Sequence, residues 1–171
     1  MKPNLIWHYT IAATLLEIVE SGVIKTQSGK LPAGTKPVVW FSTNPKWEQT
    51  ATKMVGIGGH AVPLASFENM LRHAETRNPV FTPARIGVDE SVAPGRWKGY
   101  KESCGAPYKF TKALYEYALE VQASPSEWRW TANEVPSSAW RSIEIYKGGV
   151  WTTVTRAELE PYRDKNPALD L

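Results

Sequence analysis

Apolar side chains crowd the start of the chain in "LIWHYT", and residues 4 to 9 read as a short strand. The spacing then changes: Ile11, Leu15, Ile18 and Val19 recur at helical intervals, Thr10 is placed to cap a first turn, and Gly22 supplies a stop. A polar stretch, residues 25 to 36, leads through Pro37 into "VVWFST", whose β-branched and aromatic residues predict a second strand. In "NPKWEQTATKM" Asn44 caps, Pro45 takes the first helical position, and Trp47 and Ala51 lie one turn apart, which predicts a helix.

The middle is less periodic. "GIGGHAVPL" reads as a flexible turn, "SFENMLRHAE" as a short helix capped by Ser66, and "ARIGV" as a strand. Residues 94 to 121 predict one or two helices broken near Gly105 and Pro107. "EWRWTANEVP", "WRSIEIYKGG" and "VWTTVT" then follow as strands, with a hairpin turn at Gly148 and Gly149. No repeat interrupts this order. The expectation is an α+β fold, two small packed β-sheets with flanking helices, in one domain over residues 1–155, with 156–171 as a tail containing a capped helical turn.

Composition narrows the class. The 171 residues suffice for a core without disulfides, and 20 Lys and Arg against 17 Asp and Glu permit an anionic partner without demanding one. Cys104 is the single cysteine, so no intramolecular disulfide or multi-cysteine zinc site is available. With no basic-then-apolar leader and no apolar run near the ~20 residues that span a bilayer, the chain reads as cytoplasmic, with no membrane contact.

Several chemistries are missing from the sequence. There is no GxxxxGK[ST], no strand-borne GxGxxG and no HExxH, and His8, His60 and His73 are too scattered to predict a metal site. What remains is polar residues at the ends of apolar runs: "WHYT", "WFSTN" and "SPSEW". Each also admits a structural role, His8 as a satisfied core histidine, Ser42 and Thr43 as helix caps, and Glu127 as an edge carboxylate.

In that order the three resemble the ADP-ribosyltransferase fold shared by bacterial toxins, poly(ADP-ribose) polymerases, RNA 2'-phosphotransferases and DarT toxins. In that family a first strand carries His or Arg, a second carries Ser-Thr or Tyr, and a late strand opens with Glu. "LIWHYT…LLEIVESGVI" is similar to the opening of DarT-type members, and "VVWFSTN" to the Ser-Thr-Ser strand of arginine-bearing toxins. The resemblance covers residues 4 to 53 and about 121 to 146.

It implies NAD as co-substrate and transfer of ADP-ribose to a macromolecule, protein or nucleic acid. Glu127 is the implied catalytic carboxylate, suited to stabilising an oxocarbenium-like state. His8, Tyr9, Thr10, Ser42 and Thr43 are the implied cofactor contacts, and Phe41, Trp47 or Tyr9 would face nicotinamide. Arg85, Arg96, Lys98 and Arg129 are the cations available to an acceptor. Pro125 stands where arginine-directed toxins carry Glu or Gln, and the polymerase Tyr is missing, so neither of those activities is expected.

Eight tryptophans are many for this length, and alternation in "EWRWT" puts Trp128 and Trp130 together on one face, as sheet packing requires. Aromatics and cations interleave in "RWKGYK", which supports a second class of function, a nucleic-acid- or protein-binding module on the same fold without catalysis.

Overall fold

The computed structural model describes residues 4–27, 29–52, 54–57, 60–63 and 66–164. In chain order its elements are β1 (Leu5–Ile11), α1 (Ala12–Ser21), β2 (Val23–Ile24), β3 (Val39–Ser42), β4 (Met54–Ile57), β5 (His60–Pro63), α2 (Phe67–Thr76), β6 (Pro83–Asp89), β7 (Gly95–Arg96), α3 (Trp97–Cys104), α4 (Tyr108–Glu120), β8 (Trp128–Thr131), β9 (Val135–Pro136), β10 (Trp140–Lys147), β11 (Val150–Thr153) and α5 (Arg156–Leu159). The α+β class is as expected, but the sheets are not two of similar size. One seven-stranded sheet, ordered β11-β10-β6-β1-β3-β8-β7, dominates, and β2-β9 and β4-β5 are small ladders beside it. Every pairing in it is antiparallel.

β1 lies inside the sheet and is largely buried on both faces. Ile6 joins Leu15, Leu16, Ile86, Ile145 and Leu159 in the core under α1 and α5. Trp7, Tyr9 and Ile11 join Trp47, Met70 and Phe81 on the opposite face. A third cluster sets Val38, Trp40 and Trp130 against Tyr100, Cys104, Phe110 and Leu114 of α3 and α4. Trp7 sits directly over Gly87 of β6, where an added Cβ would come within 2.7 Å of the indole.

Three local expectations are corrected, the first two by contacts from afar. β1 continues through Ile11, which pairs with Pro83, so α1 starts at Ala12 and Thr10 caps nothing. Residues 44 to 52 do not form the expected α-helix; instead the carbonyls of Asn44, Pro45 and Lys46 accept from Tyr9 Oη (2.6 Å), Arg85 Nη1 (2.5 Å) and Trp151 Nε1 (3.2 Å). The backbone here follows the side chains that reach it from other elements, and only a 3₁₀ turn, Gln49–Ala51, forms. The Gly-rich stretch expected to be a flexible turn instead enters the β4-β5 ladder, with residues 58–59 outside the described set.

The segment expected as a tail also packs. Thr155 and Glu158 form a reciprocal capping box, Leu159 is fully buried against the α1 core, and Arg156 and Arg163 pair with Glu20. Elsewhere the Ser66 cap, the helix break at Gly105–Pro107 and the Gly148–Gly149 hairpin turn, with both φ values positive, are as expected.

Candidate functional site

β1 and β3 are neighbours that barely pair. Whereas all of β1 is in register with β6, its register with β3 holds only at Trp7 opposite Ser42. In the gap His8 Nδ1 donates to the Trp40 carbonyl at 2.9 Å, and the imidazole meets Phe41 edge-on at 5.7 Å. A carbonyl oxygen only accepts, so Nδ1 carries the proton.

At this seam a cleft of about 310 Å³ opens, lined from β1 by Trp7, His8 and Tyr9 and from β3 by Trp40, Phe41 and Ser42. α4 closes it with Phe110, Leu114 and Tyr117, and residues 48 to 51 add Glu48 and Thr50. Its volume is at the small end of the range for ligand sites, which suits one ring and its sugar.

Four expected cofactor residues, His8, Tyr9, Phe41 and Ser42, therefore share one cleft. Tyr9 is nearly buried, its phenol donates to Asn44, and burial above all pushes its pKa up to about 12. Ser42 Oγ is fully buried and accepts from the Asn44 amide at 3.1 Å. Thr10, Thr43 and Trp47 do not line the cleft: Thr10 is buried in β1, and Trp47 packs between Tyr9 and Phe67.

Glu127 ends the 3₁₀ turn Pro125–Glu127, just before β8. Its carbonyl accepts from Thr43 N (2.9 Å) and its carboxylate from Asn44 Nδ2 (3.3 Å). The carboxylate is half-buried and is not among the residues that line the cleft, although its neighbour Trp128 is.

Of the four cations expected to meet an acceptor, two are committed internally. Arg85 is buried between the rings of Trp7 (3.6 Å) and Trp151 (4.1 Å), paired with Glu144 at 2.5 Å, and its Nη1 reaches Tyr9 and Pro45. Arg129 is buried too, donating to Glu90 (2.8 Å) and to the carbonyls of Ser126 and Trp128, which clamps the turn that carries Glu127. That bond from Arg129 is the main reason the Glu90 carboxyl titrates below the usual range. Arg96 and Lys98 remain exposed and line a separate notch with Trp97, Tyr115, Ser124 and Ser126, beside the Glu127 turn.

Sequence reasoning missed Glu48 and Tyr100. Glu48 is only 8% exposed and lines the cleft, and its Oε1 accepts from Thr50 Oγ1 (2.7 Å) and Thr50 N (3.3 Å). Glu-x-Thr, a carboxylate two residues before a hydroxyl, was the available signal. The Tyr100 hydroxyl and the Trp128 indole N–H, both on residues of the cleft wall, find no hydrogen-bond partner among the described residues. Burial is the first reason the Tyr100 phenol rises to about 12.

Among the described residues, no three His, Cys, Asp or Glu side chains converge as a metal ion requires, and no helix is long and apolar enough to cross a membrane. Compared with family models, curated proteins and solved structures, the chain shows no match.

Proposed function

We propose that this chain is an ADP-ribosyltransferase-like domain that binds the nicotinamide end of NAD in the β1–β3 cleft and transfers ADP-ribose to a macromolecule. The observation that carries the reading is a convergence. His8, Ser42 and Glu127, singled out from three distant stretches of sequence, sit on or next to the neighbouring strands β1, β3 and β8; His8 and Ser42 line one cleft, and Glu127 is bonded to Thr43 and Asn44, the residues that follow Ser42.

In this reading the bond between ribose C1' and the nicotinamide nitrogen breaks, its electron pair leaves with the nitrogen, and positive charge develops on the sugar. Glu127 stabilises that charge and takes the proton from the attacking acceptor group. His8 orients the ribose from a strand that fixes its ring, and Asn44 and Arg129 hold the Glu127 turn. The acceptor, protein or nucleic acid, docks on the notch of Arg96, Lys98 and Tyr115, next to Ser124 and Ser126. A cytoplasmic setting agrees with the one thiol, Cys104, being free and buried.

The test is release of nicotinamide from NAD by the purified chain, with and without candidate acceptors. Release by wild type that disappears in Glu127→Gln sustains the reading, and wild type that neither binds nor cleaves NAD sinks it. In that event the exposed cations and aromatics of α3 and α4 favour the second reading, a nucleic-acid-binding module indifferent to Glu127.

A further inference from the structure

The charge balance of the cleft is lopsided. Of its fifteen lining residues eight are Trp, Tyr or Phe, one is a carboxylate, Glu48, one is the imidazole of His8, whose Nδ1 bonds the Trp40 carbonyl, and none is Lys or Arg among the described residues. Glu48 is nearly buried, and among the described residues its carboxylate accepts only from Thr50, both bonds going to Oε1 and none to Oε2. A carboxylate removed from water at such cost ordinarily has a cationic partner. Arg85, whose guanidinium reaches the Tyr9 hydroxyl, is already neutralised by Glu144. Aromatic faces carry negative potential, so the walls and the carboxylate favour the same sign of guest.

We infer that the cleft is a receptor for a flat organic cation, an N-substituted pyridinium, with Glu48 as its counter-charge. Where this rests on the NAD reading, the guest is the oxidised nicotinamide ring. That ring loses its charge when its bond to ribose breaks, so the cleft holds substrate better than the neutral product. It also rejects the reduced dinucleotide, whose ring is uncharged. Since the charge leaves the ring on the way to the transition state, Glu48 contributes to substrate binding rather than to the chemical step. It is a specificity residue, distinct in effect from Glu127.

The experiment titrates wild type, Glu48→Gln and Tyr117→Leu with 1-methylnicotinamide and with nicotinamide, following the fluorescence of the cleft tryptophans. Gln keeps an oxygen for Thr50 and removes only the charge, and Tyr117 is exposed enough to lose its ring without disturbing the core. Wild type is expected to prefer the cation by tenfold or more, Glu48→Gln to abolish the preference, and Tyr117→Leu to weaken cation binding several-fold. In NAD cleavage Glu48→Gln is expected to raise KM about tenfold and kcat with it, leaving kcat/KM little changed, because the charge Glu48 holds is gone in the transition state.

A wild type that binds the neutral ring as well as the cation, or binds neither, overturns the inference. So does a Glu48→Gln that keeps the preference. If that variant does not fold, the wild-type preference and Tyr117→Leu still decide. Cation preference without NAD binding leaves the inference standing and removes the NAD reading. NAD cleavage with equal KM in wild type and Glu48→Gln does the reverse.

Discussion

His8 Nδ1 and the carbonyl oxygen of Trp40 lie 2.9 Å apart across the seam where β1 and β3 leave their ladder unfinished. One ring nitrogen is therefore spent on architecture, and in the neutral ring the other is an acceptor. Asn can reproduce the donor at Nδ1 but not the second nitrogen. His8→Ala and His8→Asn are both expected to weaken NAD binding tenfold or more by calorimetry. Only His8→Ala should also lose about 1 kcal/mol of stability in urea. Equal stability loss in both would show that the seam bond contributes nothing.

Glu127 is held through Asn44, so the pair predicts graded kinetics. Glu127→Gln is expected to slow nicotinamide release by about a hundredfold or more, the scale of a lost catalytic carboxylate. Asn44→Ala, which frees the carboxylate without removing it, is expected to fall between wild type and Glu127→Gln. Initial rates at saturating NAD check both.

Arg85, by contrast, is predicted to matter for folding alone. Removing it leaves Glu144 without its buried partner and takes the cation from between two indoles. Arg85→Ala should cost about 3 kcal/mol or more in denaturant unfolding. Measured stability within 1 kcal/mol of wild type would refute the structural role assigned here.

Alkaline pH offers a fourth check. Tyr9 and Tyr100 are raised from 10.0 to about 12 in the fold, chiefly by burial, so the folded state favours the protonated phenols. Their contribution is complete below pH 10 and is lost as pH climbs toward 12, because the unfolded chain ionises first. The melting temperature is expected to fall steadily between pH 10 and 12, and the fall to be smaller in Tyr9→Phe. A flat profile would contradict it.

The parts of this molecule legible in the sequence are those decided by neighbours in sequence. Ser66 caps α2 through Asn69 three residues on, and the Gly148–Gly149 turn joins β10 to β11 directly. Residues 44 to 52 are not legible in the same way, since their path is tied to side chains at positions 9, 85 and 151 that bond the carbonyls of residues 44 to 46. The same holds for the site. His8, Ser42 and the Glu127 turn carried a local motif, whereas Glu48 looked like one polar position in an amphipathic helix. Its burial depends on elements that the local pattern does not contain.

The interior position of β1 has a consequence for biosynthesis. Its longest ladder is to β6, whose last residue is Asp89, so a growing chain exposes "LIWHYTI" with that edge unpaired while some eighty further residues are made. Sheet closure waits on contacts of high sequence separation, which form slowly and leave apolar edges open to other chains. The strand that shapes the cleft is thus also the one that most needs shielding from aggregation during synthesis.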